Sequence, residues 1–81
     1  MEGKDNNIYV VDIRGLVCPY TLIKAKLALE ELKIGDILEI HLDNIAALRN
    51  LPTAFIYYGQ EYLGTEAISD SEWIIKIRKK E

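Results

Sequence analysis

From Ile8 to Ile13 the chain is a β-branched run whose side chains alternate, with Tyr9, Val11 and Ile13 on one side and polar residues and Gly15 at its ends. It reads as a first strand. From Pro19 to about Lys33 the period changes: Leu22, Ala25, Leu29 and Leu32 recur at spacings of three and four, while Lys24, Glu31 and Lys33 fall elsewhere. This predicts an amphipathic helix closed at Gly35. Alternation returns at Ile37–Leu42, where Leu38, Ile40 and Leu42 interleave with Glu39 and His41, a strand with one wet face. Asp43-Asn44 suits the cap of a short helical turn through Leu48, and Asn50 the cap of a longer piece with Pro52 in its first turn. The second helix is therefore expected in two parts, with Leu51, Ala54, Phe55 and Tyr58 on one face and Gly59 as its left-handed stop. Gln60–Ile68 and Glu72–Lys79 read as two further strands joined by Ser69-Asp70-Ser71. In the last strand Trp73, Ile75 and Ile77 alternate with Lys76 and Arg78.

The order β-α-β-α-β-β, with single apolar stripes on the helices, fits an α/β chain of the α+β two-layer kind: a mixed four-stranded sheet with two helices on one face. The pattern leaves strand order open. With 81 residues, no internal repeat and no linker, residues 1–81 are expected to form a single domain. A hydrophobic share of 49% with 28% charged residues describes a soluble globular protein. No apolar run approaches membrane-spanning length, and Met1 to Asn7 lack a signal-peptide core, so a cytoplasmic protein without a membrane partner is expected. The net charge of −3 argues against direct nucleic-acid binding across the surface.

Candidate chemistry narrows to one group. Cys18 is the only cysteine, which excludes an intrachain disulfide, and with His41 as the only histidine there is no soft-ligand set for a metal and no sign of a cofactor. Cys18 stands where a strand breaks at Gly15 and a helix begins. Pro19 suits the first helical position, which makes Cys18 the expected N-cap. Unpaired N–H groups and the positive helix end favour thiolate there.

The segment Asp12-Ile13-Arg14-Gly15-Leu16-Val17-Cys18-Pro19 resembles the TusA-like, or SirA-like, sulfur carrier family, and the likeness extends over almost the whole chain. It includes Gly35-Asp36, Asp43 followed by Ala46, Leu51-Pro52, Gly59 and the closing Ile77-Arg78-Lys79. The resemblance implies a carrier whose cysteine receives a persulfide sulfur from a protein donor, such as a cysteine desulfurase or a rhodanese-like protein, and hands it to an acceptor protein. By position Cys18 is implied to bear the persulfide, Pro19 to start the helix, and Arg14 and Gly15 to form the turn that presents it. The family pattern is C-P-x-P, and here Tyr20 is followed by Thr21. Thr21 restores an N–H donor that a second proline lacks and adds a hydroxyl, so a hydrogen bond to the thiolate becomes available.

Around this group the residues allow two readings each. Arg14 either stabilises an anionic sulfur or pairs with a carboxylate such as Asp12. Tyr20, Ile23, Lys24, Lys26 and Leu27 form a docking rim, or else Ile23 and Leu27 pack on the helix flank and the lysines are only solvated. His41, on the polar side of the second strand, is expected to be solvated and distant from the Cys18 turn. Lys76, Arg78, Lys79 and Lys80 make a basic C-terminal edge that either contacts RNA or, as expected, protects an exposed sheet edge against strand pairing. Against the sulfur carrier stand a non-catalytic interaction module of the same fold and a redox-sensing thiol, the latter disfavoured by the lack of a second cysteine.

Overall fold

The alternating runs become strands β1 (Ile8–Asp12), β2 (Ile37–Leu42), β3 (Glu61–Ala67) and β4 (Trp73–Arg78), and the helical runs become α1 (Tyr20–Glu30) and α2 (Ile45–Tyr57). The structure, a computed structural model, describes residues 7–17 and 20–81. One sheet has the order β1-β2-β4-β3. β1 and β2 are parallel, with Val10 opposite Glu39 and Asp12 opposite His41, whereas β4 is antiparallel to both its neighbours. The sheet is mixed, as expected.

Leu38, Ile40 and Leu42 of β2 and Ile75 and Ile77 of β4 point to one side. There they meet Ala25 and Leu29 of α1, Leu32 beyond it, and Ala47, Leu51 and Phe55 of α2, in a single buried cluster completed by Ile13. Both helices therefore cover the same face. Ile40, Phe55, Ile75 and Ile77 are wholly out of water, and each such side chain stabilises the fold by about 1.5–3 kcal/mol. The other face carries ion pairs between strands. Lys76 pairs with Glu66 at 3.6 Å and Arg78 with Glu61 at 3.2 Å, both across β3 and β4.

Three expectations need correction. The second helix is one piece, not two: Asn44, with extended backbone, caps it by accepting the Ala47 N–H at 3.0 Å, while Asn50 and Pro52 lie inside it. Pro52 removes one backbone donor, but Leu51 and Phe55 on either side of it are both in the core, so packing holds the helix together across the gap. α1 ends at Glu30, short of Lys33, because its last carbonyls find other partners. Glu31 and Leu32 N–H groups bond back to Ala28 and Leu29, and Lys79 Nζ reaches from beyond β4 to the Glu30 and Leu32 carbonyls at 3.4 and 2.9 Å. A cation at a helix C-terminus also opposes the helix dipole. Finally, Lys76 and Arg78 guard no edge, since β4 is an interior strand.

Gly59 is the stop that the pattern indicates. Its φ is +88°, its N–H donates to the Ile56 carbonyl at 3.0 Å, and the Gln60 N–H donates to Phe55 at 2.9 Å, the paired bonds of a Schellman motif. The same Phe55 is the aromatic centre of the core. Phe55→Ala is expected to cost about 3–5 kcal/mol, read as a lower urea midpoint at unchanged slope.

Candidate functional site

β1 hands its chain to a tight loop. The Ile13 N–H still bonds the His41 carbonyl at 2.9 Å, and the Leu16 N–H then turns back to the Ile13 carbonyl at 3.2 Å. Gly15 is the third residue of that turn with φ +82°, and no non-glycine residue has positive φ among the described residues, which defines a type II turn. A Cβ at Gly15 would touch nothing within 4 Å, so backbone conformation rather than space demands glycine here.

Three carboxylates hold the turn. Asp12 Oδ1 accepts from both the backbone N–H and the Nε of Arg14 at 3.0 Å, and Asp12 Oδ2 accepts from Nη2 at 2.8 Å. Asp43 Oδ1, at the entry to α2, accepts the Gly15 N–H at 3.0 Å. Glu72, just before β4, lies 3.6 Å from Arg14 Nη1 and 2.9 Å from His41 Nε2. The Arg14 side chain and backbone donors hold the Asp12 carboxyl well below the usual carboxylate range, and Asp12 raises Arg14 in turn. After the turn, the Val17 carbonyl accepts the N–H groups of Tyr20 at 2.7 Å and Thr21 at 3.3 Å. The chain is thus tied on both sides of residues 18 and 19.

The expectations for Cys18 and Pro19 fall outside the described residues. Arg14 takes the ion-pair reading, with its charge answered by Asp12 and Glu72. Thr21 is buried, and its N–H is engaged by Val17, so the donor expected for a sulfur anion has another use. Ile23 and Leu27 do not pack on the helix flank: they are 49% and 57% exposed. Together with Tyr20 and Lys24, also exposed, they occupy positions three and four apart on the outer side of α1. Lys26 turns the other way, its Nζ 4.5 Å from the ring centre of Tyr58, just past the end of α2. His41 is neither distant nor freely solvated, because parallel pairing sets it beside Asp12. Sequence reasoning missed Glu72, which has no local signal, and gave Asp43 no role at the turn, although an acid between a strand and a helix start offers that hint. Among the described residues no group of three or more His, Cys, Asp or Glu side chains is placed to hold a metal. No described helix is long and apolar enough to cross a membrane.

Comparison with known proteins gives this geometry a context. A family model described as "Sulfurtransferase TusA" matches residues 9–79. Two relatives carry the name "Putative sulfur carrier protein". One, from Archaeoglobus fulgidus, is 46% identical over 71 residues, covering 88% of this chain and 81% of its own. The other, from Thermotoga maritima, is 37% identical over 70 residues, covering 86% and 89%. The crystal structure of a SirA-like protein from Desulfitobacterium hafniense superimposes with a TM-score of 0.70 at 32% identity, over 90% of this chain and 99% of that one.

The Asp12–Arg14 pair makes a pH-dependent contribution with a definite sign. A carboxyl whose folded value is depressed stabilises the fold above its ordinary value of 3.8 and loses that contribution as pH falls below it. Urea unfolding of Asp12→Asn beside the parent protein is therefore expected to show the variant less stable near neutrality. The gap is expected to close as pH is lowered below about 4.

Proposed function

The chain belongs to the sulfurtransferase TusA family, and from that premise we propose that it carries sulfur as a persulfide on Cys18, taken from a protein donor and delivered to a protein acceptor. The observation that carries this reading is the family match itself, which spans residues 9–79 and so includes the one cysteine within Asp12 to Thr21. A cysteine desulfurase or a rhodanese-like protein has the chemistry to serve as donor. In the first step the Cys18 thiolate attacks the outer sulfur of the donor's persulfide. The donor's S–S bond breaks, the donor leaves as a thiolate, and the sulfur remains on Cys18 as a new persulfide. In the second step an acceptor thiolate attacks that outer sulfur and Cys18 leaves as a thiolate. Neither step needs an oxidant or a metal.

Several features of the described residues support the proposal. α1 has no acidic residue in its first turn, so its positive end is left to favour a nearby anion. The turn before residue 18 is fixed by Asp12, Asp43 and Glu72, with Arg14, Gly15 and Thr21 as supporting residues. On the outer side of α1, Tyr20, Ile23, Lys24 and Leu27 form an exposed strip that suits a docking partner; Lys26 is displaced toward α2 and flanks it. One carrier domain working in the cytoplasm, where thiols are kept reduced, fits a free cysteine. Thr21 in place of the second motif proline favours one other reading, an interaction module that has lost transfer.

Intact-mass analysis separates the two. Incubation of the reduced protein with a cysteine desulfurase and free cysteine is expected to add one sulfur atom, and Cys18→Ser is expected to add none. A chain that gains no sulfur from desulfurase or rhodanese-like donors is an interaction module.

A further inference from the structure

The two edges of the sheet are unlike. β3 carries a bulge between Tyr62 and Gly64 and two acids, Glu61 and Glu66, engaged in ion pairs, features that discourage strand addition. β1 also ends in an ion-paired acid, Asp12, but it carries no bulge. Its sequence, Ile8-Tyr9-Val10-Val11-Asp12, contains no lysine, proline or bulge, its register with β2 is unbroken, and Ile8 and Val10 are 59% and 67% exposed. Among the described residues β1 pairs with β2 alone.

The hydrogen bonds at the ends of the β1–β2 ladder fix which groups are left over. The Ile37 N–H bonds the Asn7 carbonyl, and the Ile13 N–H bonds the His41 carbonyl. In a parallel ladder this alternation turns the N–H and C=O groups of residues 7, 9, 11 and 13 toward β2. Those of Ile8, Val10 and Asp12 point outward.

We propose that this edge pairs with the same edge of a second copy, antiparallel about Val10, so that one continuous sheet runs through a symmetric dimer. The outward groups are self-complementary in this register. Val10 exchanges both hydrogen bonds with the second copy's Val10, and Ile8 exchanges both with the second copy's Asp12. Charge favours the same arrangement: Asp12 is the one charged residue of the strand and falls opposite an isoleucine, whereas a parallel in-register pair would set it beside its own copy. Asp12 already has Arg14 at 2.8 Å, so the added strand covers no unpaired charge. On the helix side Tyr9 faces the second copy's Val11, next to an open cleft of about 200 Å³ lined by Val11, Ala28 and Leu32 that can receive the ring. Because the strands run in opposite directions, the Arg14–Gly15 turns of the two copies lie at opposite ends of the shared strand pair. The dimer is independent of the sulfur-carrier reading.

Analytical ultracentrifugation of the full chain over a concentration series tests it. The molar mass is expected to rise toward twice that of one chain, and Val10→Lys, which opposes two like charges across the axis, is expected to weaken association at least tenfold. Leu63→Lys, the equivalent change on the β3 edge, is expected to leave association unaltered. An equimolar mixture of Val10→Lys and Val10→Glu is expected to restore the dimer, which also shows that both variants fold. In the unmodified protein, exchange of the Val10 amide is expected to slow as concentration rises while that of Val11 stays constant. A chain that remains monomeric throughout, a dimer insensitive to Val10→Lys, or a Val10 amide blind to concentration overturns the proposal.

Discussion

The parallel ladder between β1 and β2 obliges the chain to leave both strands at the same end of the sheet, so both helices begin there. That constraint makes the candidate site. The loop after β1 meets the loop after β2, and the bond from the Gly15 N–H to Asp43 is the direct result. His41 arrives beside Asp12 for the same reason, and β4, running the other way, starts at that end and brings Glu72 with it. Had β1 and β2 been antiparallel, Asp43 would have lain at the opposite end of the molecule from Gly15.

Charge at this end is arranged for rigidity rather than for attracting an anion. One guanidinium is shared between two carboxylates, and a third carboxylate grips the backbone one residue on. Arg14 therefore works as a strut. Exposed ion pairs of this kind contribute little to stability singly, yet several of them converging on one turn restrict how that turn can move. The first turn of α1, by contrast, is free of acids, so no carboxylate there answers the positive end of that helix.

Much of this was legible in the chain. Element order, the apolar stripes apart from Tyr58, which lies past the end of α2 and is exposed, the Gly59 stop and the glycine turn before the cysteine all follow from local chemistry, because period, capping and left-handed backbone are properties of a few neighbouring residues. What escaped depended on topology. Nothing near Lys76 or Arg78 says that their strand is interior, and nothing near Glu72 says that Arg14 is within reach. Pro52 misled in a different way: its local effect on a helix is real, but burial of Leu51 and Phe55 outweighs one missing hydrogen bond. Thr21 showed the reverse limit, since its backbone donor is already taken by the Val17 carbonyl.

The strand that completes the sheet is the last in chain order, and it lies between β2 and β3 rather than at an edge. During folding, β2 and β3 have no direct pairing to each other, so neither the four-stranded sheet nor the Lys79 closure of α1 can form until β4 inserts. Such a sheet is dominated by contacts between residues far apart in sequence, which slows folding relative to a helical bundle of equal size. Stability is correspondingly indivisible: on a ribosome, the chain must expose residues 73–78 before its sheet can close, and a proteolytic cut between β3 and β4 would leave the keystone of the domain held by noncovalent contacts alone.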